Sequence, residues 1–273
     1  MRTVTLPDGG ALPVLGLGTW MMGERKSAAA FELAALKLGL DLGMNFIDTA
    51  EMYGNGGAET IVAEAISGRR DQIFLVSKVL PQNASRAGTV RACEASLKRL
   101  GTDRLDLYLL HWAGSHPLGA TIEAFEQLKR DGKILRWGVS NFDLAEMKPL
   151  DGTAVASNQV LYNLTRRGIE FDLLPWCRAR GIPVMAYSPI EQGRILRDRT
   201  LVSLAQARGC SAAQIALAWV LRQDGVVTIP KASILAHVRE NRAALDMVLS
   251  DAECAALDKA FPPPQKPTAL AML

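Results

Sequence analysis

The sequence predicts a single α/β domain, a (β/α)8 barrel preceded by a short β-hairpin. Three observations carry this. Short β-prone apolar runs alternate eight times with longer segments of helical period. Polar residues gather at or just beyond the end of nearly every run. The length, 273 residues, is close to the ~250 that one such barrel takes.

The hairpin comes first. Thr3-Val4-Thr5-Leu6 and Ala11-Leu12-Pro13-Val14 flank Pro7-Asp8-Gly9-Gly10, and an Asp-Gly pair between apolar runs is a turn signal. The eight barrel strands are expected at 14–18, 45–48, 73–77, 105–110, 135–139, 154–158, 183–187 and 225–229. Helices are expected between them at 27–42, 58–68, 86–100, 119–131, 169–180 and 211–222. Strands alternating with helices imply a parallel sheet, here with enough strands to close. Ser27 precedes Ala28-Ala29-Ala30-Phe31 and is expected to cap the first helix. Gly101 follows Lys98-Arg99-Leu100 and Gly181 follows Arg178-Ala179-Arg180; basic residues before a glycine are a helix stop. Pro262-Pro263-Pro264 opens an irregular tail over 261–273. No low-complexity linker divides the chain, so residues 1–273 read as one domain with the hairpin at 1–14.

Bulk composition narrows the function. Lys plus Arg number 31 against 28 Asp plus Glu, a net charge of +3 with the signs well mixed. A nucleic-acid surface would show a basic stripe instead. Cys93, Cys177, Cys210 and Cys254 are far apart and make neither a CxxC pair nor a zinc spacing, which reads as free thiols in a reducing cytoplasm. No segment reaches the ~18 apolar residues of a membrane span. The expected partner is a small molecule, with no nucleic acid, membrane or obligate protein partner.

The chemistry lies after the strands. Thr19-Trp20, Asp48, Lys78, His111, Ser140-Asn141, Gln159, Tyr187-Ser188 and Lys231 all stand at or just past a strand's C-terminal end. Any one of them alone is an ordinary turn residue. Together they occupy the face where barrel active sites are built. A tyrosine, reference pKa about 10, is a poor proton donor near neutrality, and a nearby lysine cation is expected to depress that value. A carboxylate can hold the ammonium, and a histidine opposite can orient a carbonyl. Tyr53, Lys78, Asp48 and His111 supply this set. It can protonate a carbonyl oxygen but cannot supply hydride, which calls for a nicotinamide cofactor.

At this point the sequence resembles the aldo-keto reductase family over nearly its whole length. The matching segments are Gly16-Leu17-Gly18-Thr19-Trp20, Asn45 to Gly54 with Asp48 and Tyr53, and Leu75-Val76-Ser77-Lys78. They continue with Asp106 to Trp112, Gly138-Val139-Ser140-Asn141-Phe142, Asn158-Gln159, Ala186-Tyr187-Ser188-Pro189, Ile229-Pro230-Lys231 and Arg239-Glu240-Asn241. The chain is most similar to small bacterial reductases of the diketogulonate reductase type. The resemblance implies an NADPH-dependent reductase of aldehydes or ketones. It implies Tyr53 as general acid, Lys78 and Asp48 as its tuners and His111 as the carbonyl orienter. It places Ser140, Asn141 and Gln159 on the nicotinamide carboxamide, with Tyr187 as stacking platform. It puts Lys231 on the adenosine 2′-phosphate, Glu240 and Asn241 beside the adenine, and Thr19, Ser188, Pro189 and Ile229 along the cofactor. Trp20, Met21 and Trp112 are expected to line the substrate pocket with Tyr53 and His111. Where many members carry arginine six residues after the Lys231 position, this chain has His237, read as a phosphate contact. NAD(H) is the weaker alternative cofactor. The segment after His111 and the C-terminal tail are short, so the pocket is expected to be open.

Other readings fail on particular residues. Gly16-Leu17-Gly18 would need a third glycine where Met21 stands, and Gly54-Asn55-Gly56 would need one where Glu59 stands, so neither is a dinucleotide fingerprint. No His-x-His pair opens the first strand and the 3 histidines are dispersed, which argues against a metal-dependent hydrolase and leaves no metal site expected. A non-catalytic nucleotide-binding subunit is the competing class; the complete catalytic set argues against it.

Overall fold

Each of the eight apolar runs becomes a strand, and the strands pair in chain order in the computed structural model, which describes residues 1–273. Thr3–Thr5 (β1) and Ala11–Pro13 (β2) form the antiparallel hairpin, with Gly9 at φ +85° in its turn. The barrel strands are Leu17–Gly18 (β3), Phe46–Asp48 (β4), Phe74–Val79 (β5) and Leu107–Leu110 (β6), then Trp137–Ser140 (β7), Val155–Leu161 (β8), Val184–Tyr187 (β9) and Val226–Thr228 (β10). Neighbours are parallel throughout, from β3 to β10. The ring closes just before β3. Gly16 N donates to Thr228 O at 2.8 Å, and Thr228 N donates to Val14 O at 2.8 Å. Closure removes the strand edges that an open sheet leaves unpaired.

The helices are Ala29–Asp41 (α1), Gly57–Ile66 (α2), Arg86–Leu100 (α3), Leu118–Arg130 (α4) and Leu144–Met147 (α5). Then come Leu173–Ala179 (α6), Arg199–Arg208 (α7), Ala212–Leu221 (α8), Leu235–Ala244 (α9) and Asp251–Ala260 (α10). Every residue of β8 is buried, as expected of a strand covered by helices outside and packed side chains inside. Trp137 and Trp219 are fully buried and Trp176 packs against the core. Gly101 ends α3 at φ +61° and Gly181 follows α6 at φ +64°, both at the predicted stops. No helix is long and apolar enough to cross a membrane.

Two expectations need correction. Ser27 does not cap the first helix. Lys26–Ala28 form a 3-10 turn that runs into α1, and Ala28 holds the cap position with no side-chain acceptor. A capping side chain needs an extended backbone, and Ala28 is already helical at φ −92°, ψ −18°. The helix expected over 169–180 is shorter. Gly168–Glu170 form a separate 3-10 turn, and Asp172 then starts α6 by accepting from Leu173 N at 2.6 Å.

Candidate active site

The backbone after β4 is shaped to present Tyr53. Asp48 ends the strand, and Glu51 ties the following turn to the loop after β5 by accepting from Leu80 N at 2.7 Å and Asn83 Nδ2 at 3.0 Å. Past Tyr53, Gly54, Asn55 and Gly56 hold φ of +55°, +51° and +86°. A Cβ at Gly54 would lie 2.7 Å from Met22 O. Glycine here lets the loop carrying Trp20 and Met21 close onto the turn carrying Tyr53.

Beneath that turn the four catalytic candidates meet. Lys78 Nζ lies 2.7 Å from Asp48 Oδ2, 2.9 Å from Thr49 O and 3.3 Å from Tyr53 Oη. Lys78 has no exposed surface and Asp48 almost none. An ammonium only donates, so the Tyr53 oxygen accepts from Lys78 and its own proton is free to point elsewhere. The Tyr53 and His111 rings meet edge to face, 5.8 Å between centroids, and His111 lies 4.8 Å from the Trp112 ring. His111 is buried, and its Nδ1 has no hydrogen-bond partner. Burial, helped by the Lys78 charge, pulls His111 down to about 3, so the imidazole is neutral.

The electrostatics of Tyr53 run opposite to the sequence expectation. Burial pushes the phenol well above its ordinary value, and the Asp48 carboxylate adds to the rise. Lys78 is itself pulled down by burial, against the upward pull of Asp48 and Glu59. Lys78 is therefore near enough to stabilise a developing phenolate, but desolvation outweighs it in the resting site. Tyr53 stores its proton firmly.

A second wall adjoins this one. Ser140 Oγ donates to Gln159 O at 2.9 Å, Asn141 Nδ2 to His111 O at 3.1 Å, and Tyr187 Oη to Asn141 Oδ1 at 2.9 Å. Gln159 Nε2 donates to Asp48 Oδ1 at 2.8 Å. These bonds fix the Tyr187 ring and the carboxamides of Asn141 and Gln159 in one frame with Asp48.

Both walls open on one cavity of about 990 Å³. Every residue that the sequence places in the site lines it, except Lys78, which lies behind the surface. Trp20 and Met21 stand half open at its mouth. Lys231 in the loop after β10 and His237, Glu240 and Asn241 of α9 also line it. The sequence reading missed Ile190, Gln192, Gly193 and Leu196, and Ser211 to Ala213 at the start of α8. It also missed Met52, Met272 and Leu273 at the apolar end. The tail, although short, reaches the cavity, so the pocket is less open than its length suggested. The helix expected over 211–222 already placed the start of α8, where Ser211 and Gln214 form a capping box; that its first turn reaches the cavity was not legible. The N–H groups of Ile190, Gln192, Ala212 and Ala213 donate to no protein acceptor.

Comparison with known proteins accords with this geometry. Residues 14–261 match the aldo/keto reductase family. The chain belongs to that family. It is 53% identical to methylglyoxal reductase YeaE of Escherichia coli over 272 residues, covering 96% of each chain. It is 36% identical to glyoxal reductase of Bacillus subtilis over 265 residues, 94% of this chain and 91% of that one. Among solved structures, this aldo/keto reductase resembles one from Klebsiella pneumoniae in complex with NADP and acetate. That pair has a TM-score of 0.96 and 52% identity, with 100% of this chain and 99% of that chain covered.

Proposed function

We propose that the chain is an NADPH-dependent carbonyl reductase of short α-oxoaldehydes and aromatic aldehydes, acting as one domain in a reducing cytoplasm. The observation that carries this is the Lys78 ammonium, whose contacts with Asp48, Thr49 O and Tyr53 Oη leave the phenol proton directed away from Lys78.

The cavity fits NADP(H) on its own terms. At about 990 Å³ it exceeds what a small carbonyl compound needs, and its lining joins apolar Trp20, Trp112 and Met272 with charged Lys231 and Glu240. Free backbone donors at Ile190, Gln192, Ala212 and Ala213, also on its lining, suit a phosphate group. Ser140, Asn141 and Gln159 would hold the nicotinamide carboxamide and Tyr187 would support the ring. Lys231 and His237 would take the 2′-phosphate, with Glu240 and Asn241 beside the adenine. Bound there, the cofactor supplies hydride to the carbonyl carbon.

The protein's own part is positioning and proton delivery. Neutral His111 donates a hydrogen bond that orients the carbonyl oxygen toward Tyr53. Tyr53 gives its proton to that oxygen as negative charge builds on it, completing the alcohol. Lys78 stabilises the phenolate left behind, and Asp48 keeps Lys78 in place. Trp20, Met21, Met52, Trp112 and Met272 make the substrate end apolar. That end suits a small dicarbonyl or an aromatic ring and offers little to a row of sugar hydroxyls.

Steady-state oxidation of NADPH with methylglyoxal, benzaldehyde and open-chain hexoses tests this reading. kcat/KM for the first two is expected to exceed that for hexoses by about 10-fold or more, a difference in transition-state binding of ~1.4 kcal/mol. Hexoses ranking first would overturn the substrate assignment, and no NADPH oxidation with any of them would overturn the activity.

A further inference from the structure

The loop after β9 adopts a backbone that its own residues resist. Ser188, Glu191 and Gln192 hold φ of +47°, +48° and +55°, and Gly193 follows at +85°. The left-handed region is natural for glycine and strained for other residues. Strain of this kind persists only where the surroundings over-determine it, and it gathers at functional sites.

The surroundings here converge on one carboxylate. From Tyr187 to Gly193, every residue lines the large cavity except Glu191. Glu191 turns away and is buried. Its Oε1 accepts from Arg166 Nε at 3.0 Å and Nη2 at 2.8 Å, and its Oε2 accepts from Asn163 Nδ2 at 2.8 Å. Asn163 Nδ2 also donates to Ser188 O at 2.9 Å. Asn163 Oδ1 accepts from the N–H groups of Thr165 and Arg166 at 2.9 and 3.1 Å, shaping the turn that presents Arg166. Arg194 adds a longer contact at 3.7 Å. One clasp thus joins the connection after β8 to the connection after β9. Burial raises the Glu191 carboxyl, but the Arg166 and Asn163 bonds outweigh it and hold the group below its ordinary value. On either side of Glu191 stand the free N–H groups of Ile190 and Gln192.

We propose that Glu191 is a positioning residue for the dinucleotide, clasped by Asn163 and Arg166 so that Ile190 and Gln192 keep their N–H groups at the cavity. This rests on the NADP(H) reading above. Without the clasp, only the turn bonds from Glu191 N to Ser188 O and from Gly193 N to Ile190 O hold Ser188, Glu191 and Gln192 in the left-handed region, and the donors shift as the backbone relaxes. The anions they serve are the phosphates between nicotinamide and adenosine. Lys231 and His237 sit on separate elements, so binding at the adenosine end is independent of the clasp.

The test compares two ligands on Glu191→Ala, Glu191→Gln and Arg166→Gln. NADPH affinity is read by fluorescence titration, adenosine 2′-monophosphate affinity by competition, and folding by thermal melts. Arg166→Gln alters a side chain that is 42% exposed, which keeps the test clear of folding failure. Glu191→Ala should raise the Kd for NADPH by about 10-fold or more, with smaller rises for the other two, through lost preorganisation. The Kd for adenosine 2′-monophosphate should stay within about twofold of wild type in all three, since that ligand lacks the groups that the loop serves. Unchanged NADPH affinity in the three variants would overturn the proposal, as would equal weakening of both ligands. Failure of the wild-type protein to bind NADPH at all would instead refute the cofactor reading itself, and the proposal with it.

Discussion

Gln159 and Lys78 hold Asp48 from opposite sides: Gln159 Nε2 donates to Oδ1 at 2.8 Å and Lys78 Nζ donates to Oδ2 at 2.7 Å. The carboxylate cannot turn without breaking a buried bond. Gln159 therefore stands on the cavity wall and also braces the group that holds Lys78 against Tyr53.

That double position predicts coupling. Gln159→Met should lower kcat at saturating NADPH by about 10-fold, and the loss should shrink when Asp48 is already Asn, with a coupling of ~0.5–3 kcal/mol. kcat for the wild type, both single variants and the double variant makes the cycle. Losses that simply add would show that Gln159 does not act through Asp48.

Neutral His111 predicts a pH dependence of stability. Burial and the Lys78 charge pull the native imidazole down to about 3, while the unfolded chain takes up a proton near pH 6.5. Between those values the unfolded state binds more protons, so stability falls as pH falls, by up to about 1.4 kcal/mol per pH unit. His111→Asn removes this contribution. The wild-type advantage over the variant should therefore be smallest near pH 5, grow toward pH 6.5 and level off above it. Urea unfolding of both proteins from pH 5 to pH 8 would show this; a constant difference would mean that His111 is not held neutral.

His237 is exposed on the first turn of α9 and lines the same end of the cavity as Lys231. A permanent charge there should favour the 2′-phosphate. Because the site is open to solvent, the gain is only ~0.2–1 kcal/mol. His237→Arg should tighten NADPH by about 1.4- to fivefold, on that same scale, and leave NADH unchanged. Titration of both proteins with both cofactors decides it, and an equal gain for the two cofactors would remove His237 from the phosphate.

The strands were legible because β6 and β9 read as continuous apolar runs, and Asp48 and His111 sit at strand ends where polar residues stand out; Gln159, expected just past its strand, lies inside β8, which runs on to Leu161. α7 and α10 were less legible, since they bury little, Leu201 and Ala205 in α7 and Leu257 in α10. The cavity residues missed from sequence fall in two kinds. Ile190, Ala212 and Ala213 contribute backbone N–H groups, which side-chain identity does not reveal. Met272 and Leu273 reach the cavity only through the path of an irregular tail. The sign of the Tyr53 shift was missed for a related reason: residue types suggest a nearby cation, but only the folded site shows how completely water is excluded.

The central claim is that Tyr53 delivers the proton. Tyr53→Phe keeps the ring packed against His111 and removes only the hydroxyl that Lys78 contacts. The deciding measurement is kcat for methylglyoxal at saturating NADPH in the wild type and in this variant, with NADPH affinity measured alongside. The account predicts a fall of about 100-fold or more in kcat, the scale of a lost general acid, while the Kd for NADPH stays within about twofold. A variant that turns over at near-normal rate would show that the proton comes from elsewhere.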